Sequence, residues 1–456
     1  MGDVSAGGVE KLSEWRRPGG KAVGVAGRRV ATRLRCGAVA SIFAALVLAW
    51  AMPAAAQTAL EDSIASRARP DYDPIGIVVG PRDSFLLFPK FTLSAEFTDN
   101  LFGDENDTVS DQAMVFEPEF KIQSDWVNHA LTLAGKAVQT RYLEETGENT
   151  LDYNLDLTGR LDVLAGSSID GGVTLARRHT GRGDPDDPGQ SKPTLFHVAT
   201  LTLSGVHNPD VILLRLDLKA DRSDFRDVGV ANNDDQDRLV LEARTRLGYE
   251  WVPGSTAFVE GTYNARDFRE EVDDNGLVRS SDGWEILLGN TLDLSGVTFA
   301  ELGLGYLRQV FDDPVPGGRA LGPTEGFSFA GRTIWNATDL LTISGETRRT
   351  VNDTTIENAA SALTSSFELK ADYEMLENLI FDGTVNYRIE SFDGIDREDT
   401  VLTLNFGARY LLGPNLVATA KYEFLDRTAD DAGAVAGAVS GSFSTNTFRI
   451  SITAQF

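Results

Sequence analysis

Apolar and polar residues take turns along most of this chain. In residues 151 to 163, Leu151, Tyr153, Leu155, Leu157, Leu161 and Val163 fall on one parity, and Asp152, Asn154, Asp156, Thr158, Arg160 and Asp162 on the other. A strand sends successive side chains to opposite faces, so this period of two predicts a strand with one oily and one wet face. The same pattern recurs at 238–251, at 379–390 and in the last segment, FRISITAQF. About eighteen such runs follow one another, at 88–98, 112–123, 129–142, 150–163, 167–178, 194–206, 211–223, 237–251, 255–269, 281–294, 297–310, 324–336, 340–350, 361–373, 378–390, 399–412, 415–426 and 444–456. Residues 129–142 alternate poorly, and their facing is not fixed by the pattern. After residue 57 no apolar run approaches the length of a spanning helix.

The connections sharpen the picture. Short, turn-like links (Ala165-Gly166, Pro253-Gly254, Ser295-Gly296, Gly413-Pro414) alternate with long acidic ones, such as GRGDPDDPGQSK at 181–192 and EEVDDNGLVRSS at 270–281. A soluble sandwich has no reason to lengthen every second loop, whereas a transmembrane barrel does. Hydrocarbon offers an open sheet edge no hydrogen bonds, so a sheet in lipid must close on itself. The expected fold is therefore all-β: a single antiparallel transmembrane β-barrel of about 18 strands, with 16 as the alternative. Its oily face meets lipid and its wet face lines the lumen. Tyr153, Trp251, Trp284, Tyr306, Trp335, Tyr373, Tyr410 and Tyr422 sit towards strand ends, as interfacial girdles require.

Residues 1–35 carry eight basic residues against three acidic ones and precede an apolar run ending in Pro53-Ala54-Ala55-Ala56-Gln57. That order reads as a cleaved signal peptide over residues 1–56. Residues 57–84 then form a periplasmic lead-in, and 85–456 the barrel. The single cysteine, Cys36, excludes a disulfide scaffold. A net charge of −26 argues against a nucleic-acid partner, since phosphates would be repelled. The placement implied is the outer membrane of a Gram-negative bacterium. The expected partners are membrane lipid and lipopolysaccharide, the barrel insertion machinery and small hydrophilic solutes. The oligomeric state stays open.

Candidate chemistry is confined to the lumen. Eleven charges are assigned to the inner face: Arg160, Arg215, Lys219, Arg244, Arg246, Glu250, Glu301, Arg348, Arg388, Arg409 and Lys421. An eighteen-stranded cylinder is too wide for side chains to fill, so these charges should stand in water. His179 and His197 flank one long loop, where a rim hydrolase could use them; they read instead as plain polar rim histidines, and the reading is no enzyme. The clusters Asp184, Asp186 and Asp187, Asp234, Asp235 and Asp237, and Asp273 and Asp274 lack calcium-loop spacing. They read as solvated loops, with no metal and no cofactor.

The segment RPDYDPIGIVVGPRDSFLLFPKFTLSAEFTDNLF, residues 69–102, resembles the start of the Putative beta-barrel porin 2 family, on Tyr72, Pro74, Gly76, Ile77, Phe85, Pro89, Phe97, Asp99, Asn100 and Phe102. The terminal Phe456, in phase with the oily face, resembles the C-terminal insertion signal of outer-membrane barrels. The resemblance implies a barrel and, for some members, a link to exopolysaccharide production. Function is read as a porin-like passive diffusion channel, with an accessory role in envelope polysaccharide assembly or export as the alternative. Asp99 and Asn100 are expected to make local turns in the first long loop.

Overall fold

The computed structural model describes residues 63–431 and 441–456, except 188, 230, 295 and 296. The expected signal peptide lies outside the described residues. A short β1 (Ile77–Val79) is followed by β2 (Phe85–Thr98), β3 (Asp111–Ser124), β4 (Ala130–Tyr142), β5 (Thr150–Leu164), β6 (Ser167–His179) and β7 (Leu195–His207). Next come β8 (Ile212–Phe225), β9 (Arg238–Val252), β10 (Ser255–Phe268), β11 (Ser281–Leu294), β12 (Thr298–Phe311) and β13 (Thr324–Thr338). The chain ends with β14 (Leu341–Asn352), β15 (Ala362–Leu376), β16 (Leu379–Phe392), β17 (Arg397–Gly413), β18 (Leu416–Asp431) and β19 (Phe443–Gln455).

From β2 to β19 every strand pairs antiparallel with the next, and β19 pairs back onto β2 from Thr447↔Thr98 to Gln455↔Lys90. The wall is thus a closed barrel of eighteen strands. β1 adds a short flap to β2, with Ile77 opposite Leu87. No helix among the described residues is long and apolar enough to cross a membrane; the crossing is made by strands.

Which face lies inside is settled by contacts that skip strands. Arg246 on β9 reaches Glu301 on β12 at 2.9 Å. Arg238 on β9 and Arg266 on β10 reach Asp353, beyond β14, at 3.0 and 2.6 Å. Such pairs can form only on the concave side, where side chains converge. The opposite parity carries Leu155, Leu201, Leu288, Leu369 and Phe406, all exposed. An arginine on that convex face would cost about 2–4 kcal/mol at the middle of a bilayer, which is the physical reason for the alternation. The aromatics of the convex face gather near its two edges, with Trp251, Trp335, Tyr373 and Tyr410 by the short turns and Tyr153, Trp284 and Tyr306 by the long loops.

The poorly alternating stretch 129–142 is β4, and its ladder fixes its facing. Lys136 lies opposite Glu119, and its ammonium reaches Glu117 at 2.7 Å, on the inner side. The short turns are tightened by register shifts, as between Ser255 and Thr256. Gly254 shows why the turn residue matters. Its φ is +78°, and a Cβ there would stand 2.4 Å from the Asp293 carbonyl oxygen.

Candidate functional site

The inner wall is the site. All eleven assigned charges share ladder rows with inner-face neighbours. Arg160 lies opposite Asp170, Arg215 opposite Arg246, Lys219 opposite Glu242 and Glu250 opposite Thr256. Glu301 lies opposite Arg332, Arg348 opposite Ala330, Arg388 opposite Ser366, Arg409 opposite Thr419 and Lys421 opposite Arg449. They are less free than hydrated charges would be. Arg215 holds Asp217 at 2.8 Å and Arg388 holds Glu390 at 2.9 Å. Arg246 bridges Glu260 and Glu301 while its guanidinium lies 4.1 Å from the Phe258 ring centroid. Together Arg215, Arg244, Arg246, Arg332 and Arg348 line a cavity of about 230 Å³ with Asp217, Glu260, Glu301 and Glu346. The wall offers guanidinium and carboxylate in near balance, a surface suited to polar solutes.

The long-loop mouth is not a ring of solvated loops. The segment 180–194, between β6 and β7, folds inward as a strap. Its root is closed by Thr180 N donating to the Thr194 carbonyl at 2.8 Å. Arg182, nearly buried, pairs with Glu148 at 2.6 Å and with Asp187 at 3.0 Å. Burial opposes that charge, but both carboxylates outweigh it and raise its pKa above the ordinary arginine value. Gly183 lends its carbonyl to Arg427 of β18 at 2.7 Å. Its φ is +77°, and a Cβ would meet the Phe443 ring at 2.4 Å, so only glycine fits between strap and wall. Asp186 accepts hydrogen bonds from the Thr354 hydroxyl (2.8 Å) and the Thr355 N–H (2.7 Å) in the loop after β14. Since β6 and β14 are eight strands apart one way round and ten the other, the strap reaches the far arc of the wall. A cavity of about 330 Å³ lies beneath it, lined by Arg182, Asp184, Arg388, Glu390 and Arg427 among others.

Two further loop groups brace this mouth. Asp353 is buried between Arg266 and Arg238; burial alone would raise its pKa, and the two guanidinium groups hold it below the usual carboxylate value. Arg279 pairs with Asp273 at 2.6 Å and donates to the Ala359 carbonyl at 3.1 Å, tying the loop after β10 to the loop after β14. In the strap, burial and the neighbouring Asp186 push the Asp184 carboxyl up to about 6. Among the described residues no group of three or more metal-type side chains is placed to hold an ion.

The short-turn mouth carries a different obstruction. Ile64 is fully buried against Ile380, Leu411 and Val417, with Tyr72 packed beside it. Those three wall residues are apolar at inner-face positions. Ile64 N donates to the Thr342 hydroxyl at 3.0 Å, and Arg69 pairs with Glu374 at 2.8 Å. The lead-in therefore seats inside the wall beneath β14–β18.

The residues of the 69–102 segment take defined places. Tyr72 belongs to that apolar seat, and Pro74 follows it half-buried. Gly76, at φ +80°, leaves room for the Phe88 ring, which a Cβ would meet at 2.7 Å. Phe97 points outward opposite Phe448. Asp99 accepts from the N–H and the side-chain amide of Asn446, both at 2.7 Å. Buried Asn100 donates to the carbonyls of Asp104 and Ser444 at 2.8 and 2.9 Å. Local turns were expected of Asp99 and Asn100; they also staple β2 to β19. Phe102 lies under the Arg182 guanidinium at 5.8 Å. Phe456 is exposed on the convex face, and its N–H donates to the Pro89 carbonyl at 3.1 Å.

The model of the family described as Putative beta-barrel porin 2 matches residues 69–456. The chain belongs to that family. Its wall is thus that of a porin-like outer-membrane β-barrel. No curated protein matches it. Among solved structures it is similar to Pseudomonas aeruginosa OccK1 (OpdK), at 12% identity and a TM-score of 0.43 over 81% of this chain and 99% of that one. It is similar also to Pseudomonas aeruginosa OccK5 (OpdH), at 12% identity and a TM-score of 0.40 over 83% of this chain and all of the other. A mutant of the ferric enterobactin receptor PfeA from Pseudomonas aeruginosa aligns at 9% identity and a TM-score of 0.42, over 81% of this chain and 80% of that one.

Sequence reasoning missed the strap. Arg182, Asp186 and Arg427 carried no signal beyond their charge. His179 and His197 do not converge on a shared partner: His179 Nδ1 lies 2.6 Å from Asp152, and His197 faces Arg177 across the ladder.

Proposed function

We propose that the chain is a passive diffusion channel of the outer membrane of a Gram-negative cell, carrying small hydrophilic solutes or ions down their gradients. The observation that supports this reading above others is the inner wall: charged and hydroxylated side chains enclosed by a lipid-facing cylinder. The long-loop end faces outside and the short-turn end the periplasm. Passage is narrowed by the strap at one mouth and by the lead-in at the other. Selectivity comes from the wall charges beside the strap, with a mild preference for cations from the net acidity. Phe456 and its phase supply the signal read by the insertion machinery. Refolded protein in planar bilayers tests the reading: discrete conductance steps with a reversal potential favouring cations are expected. A silent bilayer would remove the conduit, and an anion preference would remove the selectivity.

A further inference from the structure

The outward-facing arginines of this wall are not spread evenly around it. Many inner-face guanidinium groups are matched by carboxylates, as at Arg246, Arg266 and Arg427. Three outward-facing ones on alternate strands of one arc have no ion pair among the described residues: Arg141 on β4, Arg177 on β6 and Arg222 on β8. Their facing follows from phase. Arg177 shares parity with exposed Val173 and Leu175, and Arg222 with exposed Ile212. Arg141 shares parity with Gln139 and Ala137, which lie opposite outward Leu151 and Tyr153.

All three sit near the long-loop ends of their strands. Tyr153 lies directly opposite Arg177 in one ladder, and His197 opposite it in the next. Arg177 Nε and His197 Nδ1 are buried and lack a hydrogen-bond partner. Asp224 lies in the same row and is drawn to Arg226 at 3.6 Å. Elsewhere on this rim Arg308 holds Glu325 at 3.1 Å, and Arg349, a single outward arginine on β14 with no ion pair, donates to the Phe327 carbonyl at 3.3 Å. Among the described residues the β4–β8 arc is where unpaired outward guanidinium groups gather on neighbouring alternate strands, in a chain whose net charge is −26.

An unmatched guanidinium on a lipid-facing wall belongs at the interface, where anionic oxygen can complete it. Its planar fork fits phosphate in a two-point grip. Alternate strands stand about 10 Å apart, so neighbouring cations can hold two phosphates of one headgroup. Tyr153 supplies the amphipathic ring expected at that depth. We propose that this arc binds the phosphorylated disaccharide headgroup of the outer-leaflet glycolipid, lipopolysaccharide. The inference rests on the reading above that the long-loop end faces outside.

The test uses the full mature chain refolded in detergent and titrated with fluorescent lipopolysaccharide, with R141S/R177S/R222S as the variant and R308S as the control. The triple variant should weaken binding on the order of tenfold, R308S should not, and dephosphorylating the lipid should reproduce the loss. Unchanged binding by the triple variant overturns the inference. So does equal binding of dephosphorylated lipid, or of phosphatidylglycerol micelles. Heat-modifiable gel migration reports folding; if the triple variant fails there, R177S alone should still weaken binding, and an unaltered R177S overturns the inference. Alkaline extraction of membranes separates the two readings. A chain that stays in the bilayer but ignores the glycolipid overturns only the headgroup site, whereas a chain that leaves the bilayer overturns the parent reading.

Discussion

The two mouths of the barrel are narrowed by opposite physics. At the long-loop end, the strap is held by charge and hydrogen bonds, through Arg182 with Glu148 and Asp187, and Asp186 with Thr354 and Thr355. At the short-turn end, the lead-in is held chiefly by an apolar knob, Ile64, in a seat of Ile380, Leu411 and Val417. A buried ion pair is stringent about geometry and sensitive to protonation; an apolar contact is neither. The long-loop obstruction is thus the one that solution conditions can adjust, and the short-turn one answers to mechanical displacement.

The largest effect should come from Arg182→Ala. It leaves Glu148 and Asp187 buried without a counter-charge, at a cost of about 3–5 kcal/mol. The strap should detach, seen as larger single-channel steps and faster proteolysis within 180–194; unchanged steps would mean the strap does not narrow the passage. Ile64→Ala should cost about 2 kcal/mol or somewhat more, because the knob is lost and its seat cannot fully collapse. A cysteine pair at Ile64 and Thr342 should cross-link in the native barrel, and its failure to do so would place the lead-in elsewhere. Asp186→Ala, which orphans the two threonines, should cost about 1–3 kcal/mol and give intermediate steps.

The smallest effect is a pH dependence. Asp184 is held at about 6 by burial and by Asp186, above its ordinary 3.8. A raised acid favours the docked strap in its protonated form. Its contribution is complete below the ordinary value and is lost as pH rises through about 6. Closures should therefore become more frequent as the bath is taken from neutral to mildly acidic, and Asp184→Asn should flatten that response. A persistent response in that variant would assign the titration to another group.

Most of the wall was legible because a strand's period is local and lipid enforces it on every strand. The eighteen alternating runs correspond to β2–β19, including β4, whose facing only the ladder to Glu119 and Asn154 could fix. The obstructions were harder to see because they join residues far apart in sequence, such as Asp186 and Thr355 or Ile64 and Thr342. They did leave a trace in the sequence. Leu379-Ile380-Phe381, Tyr410-Leu411-Leu412 and Leu416-Val417 break the alternation by putting an oily residue on the wet face. Each of those breaks marks the seat of the lead-in. Phe443 is a similar exception beneath the strap. Arg182 and Arg427 had no such signature, since a charged residue in a polar loop or on a wet face is what the pattern already allows.

The staple of Asp99 and Asn100 onto Asn446 and Ser444 has a consequence for assembly. The join it guards unites the first and final strands of the cylinder, which are the earliest and latest parts of the wall to be synthesised. A sheet that slipped by one residue at that join would turn the whole last strand inside out. A buckle of two side chains at one end, set before the remaining rungs are made, would commit the newcomer to a single alignment and leave the rest of the closure to run as a zip.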